Sequence, residues 1–234
     1  METLPPAATA PTAPNSKWYE IWMDVWTHPG EEAFWDILKE KDHSATRGFI
    51  WIAVTSLIVA VVNIIGYVPI SRSISSQFEN AQNAAIFNIG SVFTYGICLL
   101  ILTPIIGVIG VAISTGIYHL ISRLFKSTGT YSDLVFCMAA VSAPTSIIVS
   151  LIALPQLLLS NFPAIFWLVA ICFGIVAVVL AIYAIVMQVN AIRGAEKIGT
   201  WQAVLTIFLP VIIIGVLTAC CLVITIPAIV NSTR

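Results

Sequence analysis

The hydrophobic positions of this chain fall in long, nearly unbroken runs separated by short polar stretches. A helix needs about 20 apolar residues to cross the hydrocarbon core of a bilayer. The runs 48–67, 131–154, 165–189 and 203–226 each meet that length. The run 89–121 exceeds it. Dividing it near Pro104 and Gly107 would leave two halves of roughly 15 residues, too short to span, and a turn whose backbone groups lie unsatisfied in lipid. One long helix kinked at Pro104 is therefore predicted, giving five spans.

The segment ahead of the first span has a different pattern. Trp18, Ile21, Trp22, Val25 and Trp26 recur at helical spacing. Pro29 suits the first turn of a second helix, with Glu31 and Glu32 favourable near its N-terminus and Phe34, Ile37 and Leu38 as its apolar stripe. Both helices are too short and too charged to span, so they are expected along the inner interface or docked under the bundle. Residues 16–46 hold three basic and seven acidic side chains, a balance of −4. Anionic lipid would repel that charge, so apolar anchoring or docking is expected. Residues 1–15, rich in Pro, Ala and Thr, are read as a disordered tail with no signal peptide. The membrane domain then covers 47–230. Residues 72–88 form the main outer loop, partly helical, and 155–163 a short uncharged one.

Composition agrees with lipid as the solvent. Of 234 residues, 59% are apolar and 9% charged, against about 25% charged in soluble domains. A net charge of −1 offers nothing to nucleic acid. The distribution of charge is more informative. Lys17, Lys39, Lys41 and Arg47 precede the first span, Arg123 and Lys126 lie between spans two and three, and Arg193 and Lys197 between spans four and five. These eight of the ten basic residues share one side of a five-span chain; Arg72 and Arg234 fall on the other. The positive-inside rule places the N-terminus in the cytoplasm and the C-terminus outside. Trp51 and Trp201 at the inner ends of spans and Trp167 at an outer end fit interfacial belts.

Candidate chemistry is sparse. The five cysteines lie in apolar runs, with no CxxC pair and no His at metal-ligand spacing, and read as packing residues. His119 is the ionisable residue well inside a run, one turn before Arg123. It is read as hydrogen-bonded to a neighbouring helix near the inner interface; a proton or metal role needs partners that the adjacent sequence lacks. Asp133 opens the third span and could cap that helix or pair with Arg123 or Lys126. Asn63, Gln188 and Asn190 suit interhelical hydrogen bonds, or with His119 a polar cavity serving a transporter, pore or lipid-handling protein. Small residues four apart (Gly110 and Ser114, Ala112 and Gly116, Gly215 and Ala219) allow close helix approach. No phosphate loop, HExxH or GxSxG is present, so no catalytic, cofactor or metal residues are assigned.

Three stretches resemble the bacterial branch of the Yip (Ypt-interacting protein) domain family. The first is IWMDVWTHPGEEAFWDIL, with Trp22, Val25, Trp26, Pro29 and Phe34. The second is GIYHLISRLFKSTGTYSDLVFCMAAVSAPTSII, with His119, Arg123, Gly129, Tyr131 and Pro144. The third is YAIVMQVNAIRGAEKIGTWQAVLTIFLPVII, with Trp201 and Pro210. They stand in the family's order over about 18–214. The resemblance implies five spans, a cytoplasmic N-terminal region and a hydrophobic bundle, and leaves the role of bacterial members undefined; the Trp-rich entry segment and the two basic inner loops suggest a non-enzymatic scaffold or adaptor in membrane organisation or trafficking-like processes. The bacterial-type motifs imply a bacterial plasma membrane; the motif residues are candidates for contact with an unidentified cytoplasmic protein partner or are marks of the family alone. The acidic-Leu-Tyr-Gly-Pro motif of eukaryotic members is missing, so a GTPase partner is not implied.

The expected fold is an all-α, polytopic membrane helical bundle of five transmembrane helices with one or two N-terminal interfacial amphipathic helices. Tags at Met1 and Arg234 should therefore report opposite sides of the membrane in a protease-protection assay. Both tags on one side would remove the five-span topology.

Overall fold

The computed structural model describes residues 17–40, 42–77, 84–159 and 162–232. The tail 1–15 lies outside them. Seven helices follow in order: α1 (Trp18–Thr27), α2 (Glu31–Leu38), α3 (Ala45–Gln77), α4 (Ala84–Leu124), α5 (Tyr131–Leu158), α6 (Pro163–Glu196) and α7 (Thr200–Ser232). No strand occurs among the described residues. Four helices carry stretches long and apolar enough to cross a membrane: Ala45–Tyr67, Phe93–Leu124, Tyr131–Leu158 and Ile165–Glu196. In α7 the described apolar stretch is Thr200–Val216. The fold is an all-α membrane helical bundle.

Local chemistry sets the helix ends. The Glu20 carboxylate accepts from the Lys17 backbone N–H at 2.9 Å and closes the start of α1. Pro29 does not enter α2; Gly30 is its N-cap, and Glu31 and Glu32 occupy the first turn. Helix α4 is one continuous helix through Pro104. The segment 72–88, expected as a partly helical outer loop, is helical where it is described: α3 runs to Gln77 and α4 starts at Ala84, with 78–83 outside the described residues. Thr130 caps α5, its hydroxyl accepting from the Asp133 N–H at 3.2 Å. Lys126 and Lys197 adopt left-handed backbone (φ 60° and 54°) where α4 and α6 stop.

Helix α5 lies at the centre, packing on α3, α4, α6 and both N-terminal helices. Residues 134–141 of α5 are buried without interruption. Ala139, Ala140 and Ala143 keep that surface thin. Helix α3 lies parallel to α5, with Gly48 over Phe136 and Ala139, and Gly66 over Leu157. Helix α4 is antiparallel to α3: Gly107 faces Ser56 and Ile52, and Gly96 faces Ile64.

The core is gathered at one end. It joins Ile21, Val25, Phe34 and Ile37 of the N-terminal helices to Trp51, Phe136, Met187, Ile192 and Ala203. Away from that end, α4 and α6 turn apolar side chains outward, as at Ile106, Leu168 and Ile175. That surface suits lipid tails.

Several expectations are corrected here. Gly110 and Gly116 face open space, so the close approaches are made instead at Gly48, Gly66 and Gly107; the Gly215 and Ala219 pair involves a side chain outside the described set. Trp51 is buried (7% exposed) rather than lipid-facing, lying 5.0 Å from the Phe136 ring. Trp201 and Trp167 are exposed, at 71% and 67%. Trp18 is half exposed, so α1 turns Ile21 and Val25 inward.

An added Cβ at Gly48 would meet the Ala139 methyl at 3.2 Å and the Val135 carbonyl at 3.3 Å. Gly48→Ile should therefore lower stability by about 1–3 kcal/mol, read as the midpoint of unfolding in mixed SDS micelles. Gly110→Ile should leave the midpoint nearly unchanged. Equal effects would refute the α3–α5 contact.

Candidate functional site

The ionisable groups concentrate at the core end of the bundle, where the N-terminal helices and the α4–α5 and α6–α7 loops meet. Three polar seams lie there.

The first joins α6 to the N-terminal helices. The Tyr183 hydroxyl donates to the Trp26 carbonyl, and the two rings are 5.5 Å apart. One face of α6 further along carries Asn190, whose amide donates to the Pro29 carbonyl at 2.6 Å. Arg193 donates to Asn190 at 3.2 Å and forms an ion pair with Glu31. Gly194 makes the approach possible, since a Cβ there would stand 2.7 Å from that of Phe34. Of the sequence candidates, Trp22 and Trp26 are thus half buried, Val25 and Phe34 fully buried, and Pro29 serves as an acceptor. Helices α1 and α2 pack on α5 and α6 through apolar side chains, and the Glu31–Arg193 ion pair adds to the contact.

The second seam ties the α2–α3 link to α5. Arg47 pairs with buried Glu40 at 3.3 Å and lies 5.2 Å over the Trp51 ring. His43 approaches Asp133 at 3.5 Å. The Ala45 N–H donates to the Ser132 hydroxyl at 2.9 Å. Asp133 therefore pairs with His43, not with Arg123 or Lys126, because the first turn of α5 faces the α2–α3 link.

The third seam contains His119. Its Nδ1 lies 2.6 Å from Oε1 of Glu196, a carboxyl at 0% exposure. Arg123 Nε donates to His119 Nε2 at 3.4 Å. The Arg123 guanidinium also donates to the carbonyls of Ser127 and Gly129, at 3.5 and 3.2 Å. Gly129 packs backbone to backbone on α6: a Cβ would collide with the Ala195 carbonyl and stand 2.7 Å from Glu196 Cα. The Tyr131 hydroxyl donates to the Ala112 carbonyl at 3.1 Å. Sequence reasoning missed Glu196, which stands 77 residues from His119. The signal available was an acid at the end of a span, on the same side as His119.

The remaining candidates lie apart from these seams. Pro144 is buried within α5, Pro210 is half buried in α7, and Trp201 is exposed at the start of α7. Asn63, His119 and Gln188 do not converge. Ile64, the neighbour of Asn63, faces Gly96, and 23 residues separate Gly96 from His119, about 35 Å along α4. Gln188 lies on α6 toward the α1–α2 end. Among the described residues, no cluster of three or more His, Cys, Asp or Glu is arranged for a metal.

A helical bundle with apolar flanks and a polar end of interlocked loops defines a polytopic membrane protein. The Yip1 domain matches residues 23–221, far more than half of the chain, and the chain belongs to that family. No curated protein and no solved structure matches it.

The third seam makes a sharp prediction. A buried acid stripped of its partner costs about 3–5 kcal/mol. His119→Ala should therefore destabilise the protein by several times more in the Glu196 background than in a Glu196→Leu background. Gly129→Ala should be comparably damaging through its clash with Ala195. Additive effects of His119→Ala and Glu196→Leu in an SDS-unfolding cycle would show that the pair is not coupled.

Proposed function

We propose that this Yip1-domain protein is a non-enzymatic membrane scaffold or adaptor, acting in membrane organisation or a trafficking-like process, whose N-terminal helices receive a protein partner. The observation that carries the reading is the α1–α2 platform. It is held to α5 and α6 by buried Ile21, Val25 and Phe34 and by the Glu31–Arg193 pair. Its outer side presents Trp18, Tyr19, Met23 and Trp35, each more than 40% exposed. Aromatic residues and Met on a rigid surface are typical anchors of protein interfaces. The polar groups at the same end hold the platform in place and leave no open nucleophile–base pair among them. The positive-inside bias and the bacterial-type motifs favour a bacterial plasma membrane with the platform in the cytoplasm. A transporter built on Asn63, His119 and Gln188 lacks support, because those side chains do not line one passage.

A photo-crosslinking residue at Met23 or Trp35 in cells should yield a discrete protein adduct. The same residue at Ile175, on the outward apolar face of α6, should yield lipid adducts alone. If Met23 and Trp35 also capture only lipid, the platform is a membrane-contact surface and the adaptor reading fails.

A further inference from the structure

Charge is divided unevenly around the core end. Lys39, Arg47 and Arg193 each have a carboxylate partner, in Asp36, Glu40 and Glu31. Arg123 contacts His119 and the Ser127 and Gly129 carbonyls and has no carboxylate partner among the described residues. Lys126 and Lys197 are exposed and have no carboxylate partner among the described residues. The loops that carry them abut, since Gly129 lies on Ala195 and Glu196. The three cations are thus carried by adjoining loops at the core end.

An apolar wall adjoins these loops. Leu120 and Leu124 of α4 and Trp201 of α7 are each more than two-thirds exposed, and α4 packs against α7. We propose that this flank is a binding site for an anionic phospholipid: the phosphate sits on Arg123, Lys126 and Lys197, and the acyl chains run along α4 and α7. Trp201 stands at the glycerol level, where indoles favour the interface. Helices α4 and α6 each end at a left-handed, exposed lysine, which turns the chain out of the helix axis. A basic recess between spans at the headgroup layer is the known chemistry for holding anionic headgroups. This inference goes beyond the adaptor reading and does not depend on it.

The test uses the purified full chain in detergent with dioleoyl phosphatidylglycerol or phosphatidylcholine, bound lipid being counted by native mass spectrometry. Asn tolerates left-handed backbone, so Lys126→Asn/Lys197→Asn removes two charges without straining the helix ends. Phosphatidylglycerol affinity should fall by roughly thirtyfold, with phosphatidylcholine unchanged and Lys39→Asn without effect. An unchanged phosphatidylglycerol affinity, or equal loss for both lipids, would overturn the site. Millimolar inorganic phosphate should leave the lipid bound; displacement would mean a free-anion site instead. A second measurement needs no charge variant. Brominated phosphatidylglycerol should quench the Trp201 fluorescence, obtained as the difference from Trp201→Phe, more than brominated phosphatidylcholine does, and equal quenching would refute the proposal.

Discussion

Everything at the core end rests on the first half of α5. It is helical, as lipid requires of a spanning segment, and its side chains from Leu134 to Val141 are all buried. Small residues there let α3 approach until Gly48 touches the α5 backbone. Packing and dispersion, not a hydrophobic drive between helices, hold such contacts in a bilayer. The same surface receives α1, α2, α4 and α6. With α5 in place, the loops at that end have a fixed frame, and several of their ionisable groups pair across elements.

That matching explains why so few charges suffice. Buried carboxyls are costly unless paired. Glu196 is answered by His119, Glu40 by Arg47, and partly buried Glu31 by Arg193. Each pair crosses between elements, so the charges act as latches. Arg123 extends one latch from His119 to the Gly129 carbonyl and thereby secures the α4–α5 turn. Lys126 and Lys197 remain outside these pairs among the described residues.

Much of the helical plan was legible in the chain. Runs of apolar residues marked the long helices, and the 3.6-residue spacing of Ile21, Val25, Phe34 and Ile37 marked the two short ones. The Trp-rich lead, the His119 turn and the Gly129 loop stand out in the sequence as distinctive. Their use was not legible. Trp51 looks like a belt residue by position, yet Arg47 and Phe136 cover it. Gly110 and Gly116 fit the small-residue spacing, yet open space lies in front of them. Hydropathy reports that a residue avoids water; it does not report which neighbour replaces the water.

The sequence by itself determined that this is an all-α membrane protein, because only internally hydrogen-bonded helices let runs this apolar exist in lipid. It also marked the Yip-type motifs in their order. Only the tertiary structure decided which charges meet: Glu196 with His119 across 77 residues, Asp133 with His43, Arg193 with Glu31. It also separated Asn63 from His119 by most of the length of a span. The reason is geometric. Helix periodicity fixes neighbours within about four residues, whereas partners on different helices are set by crossing, register and the few glycines that permit contact.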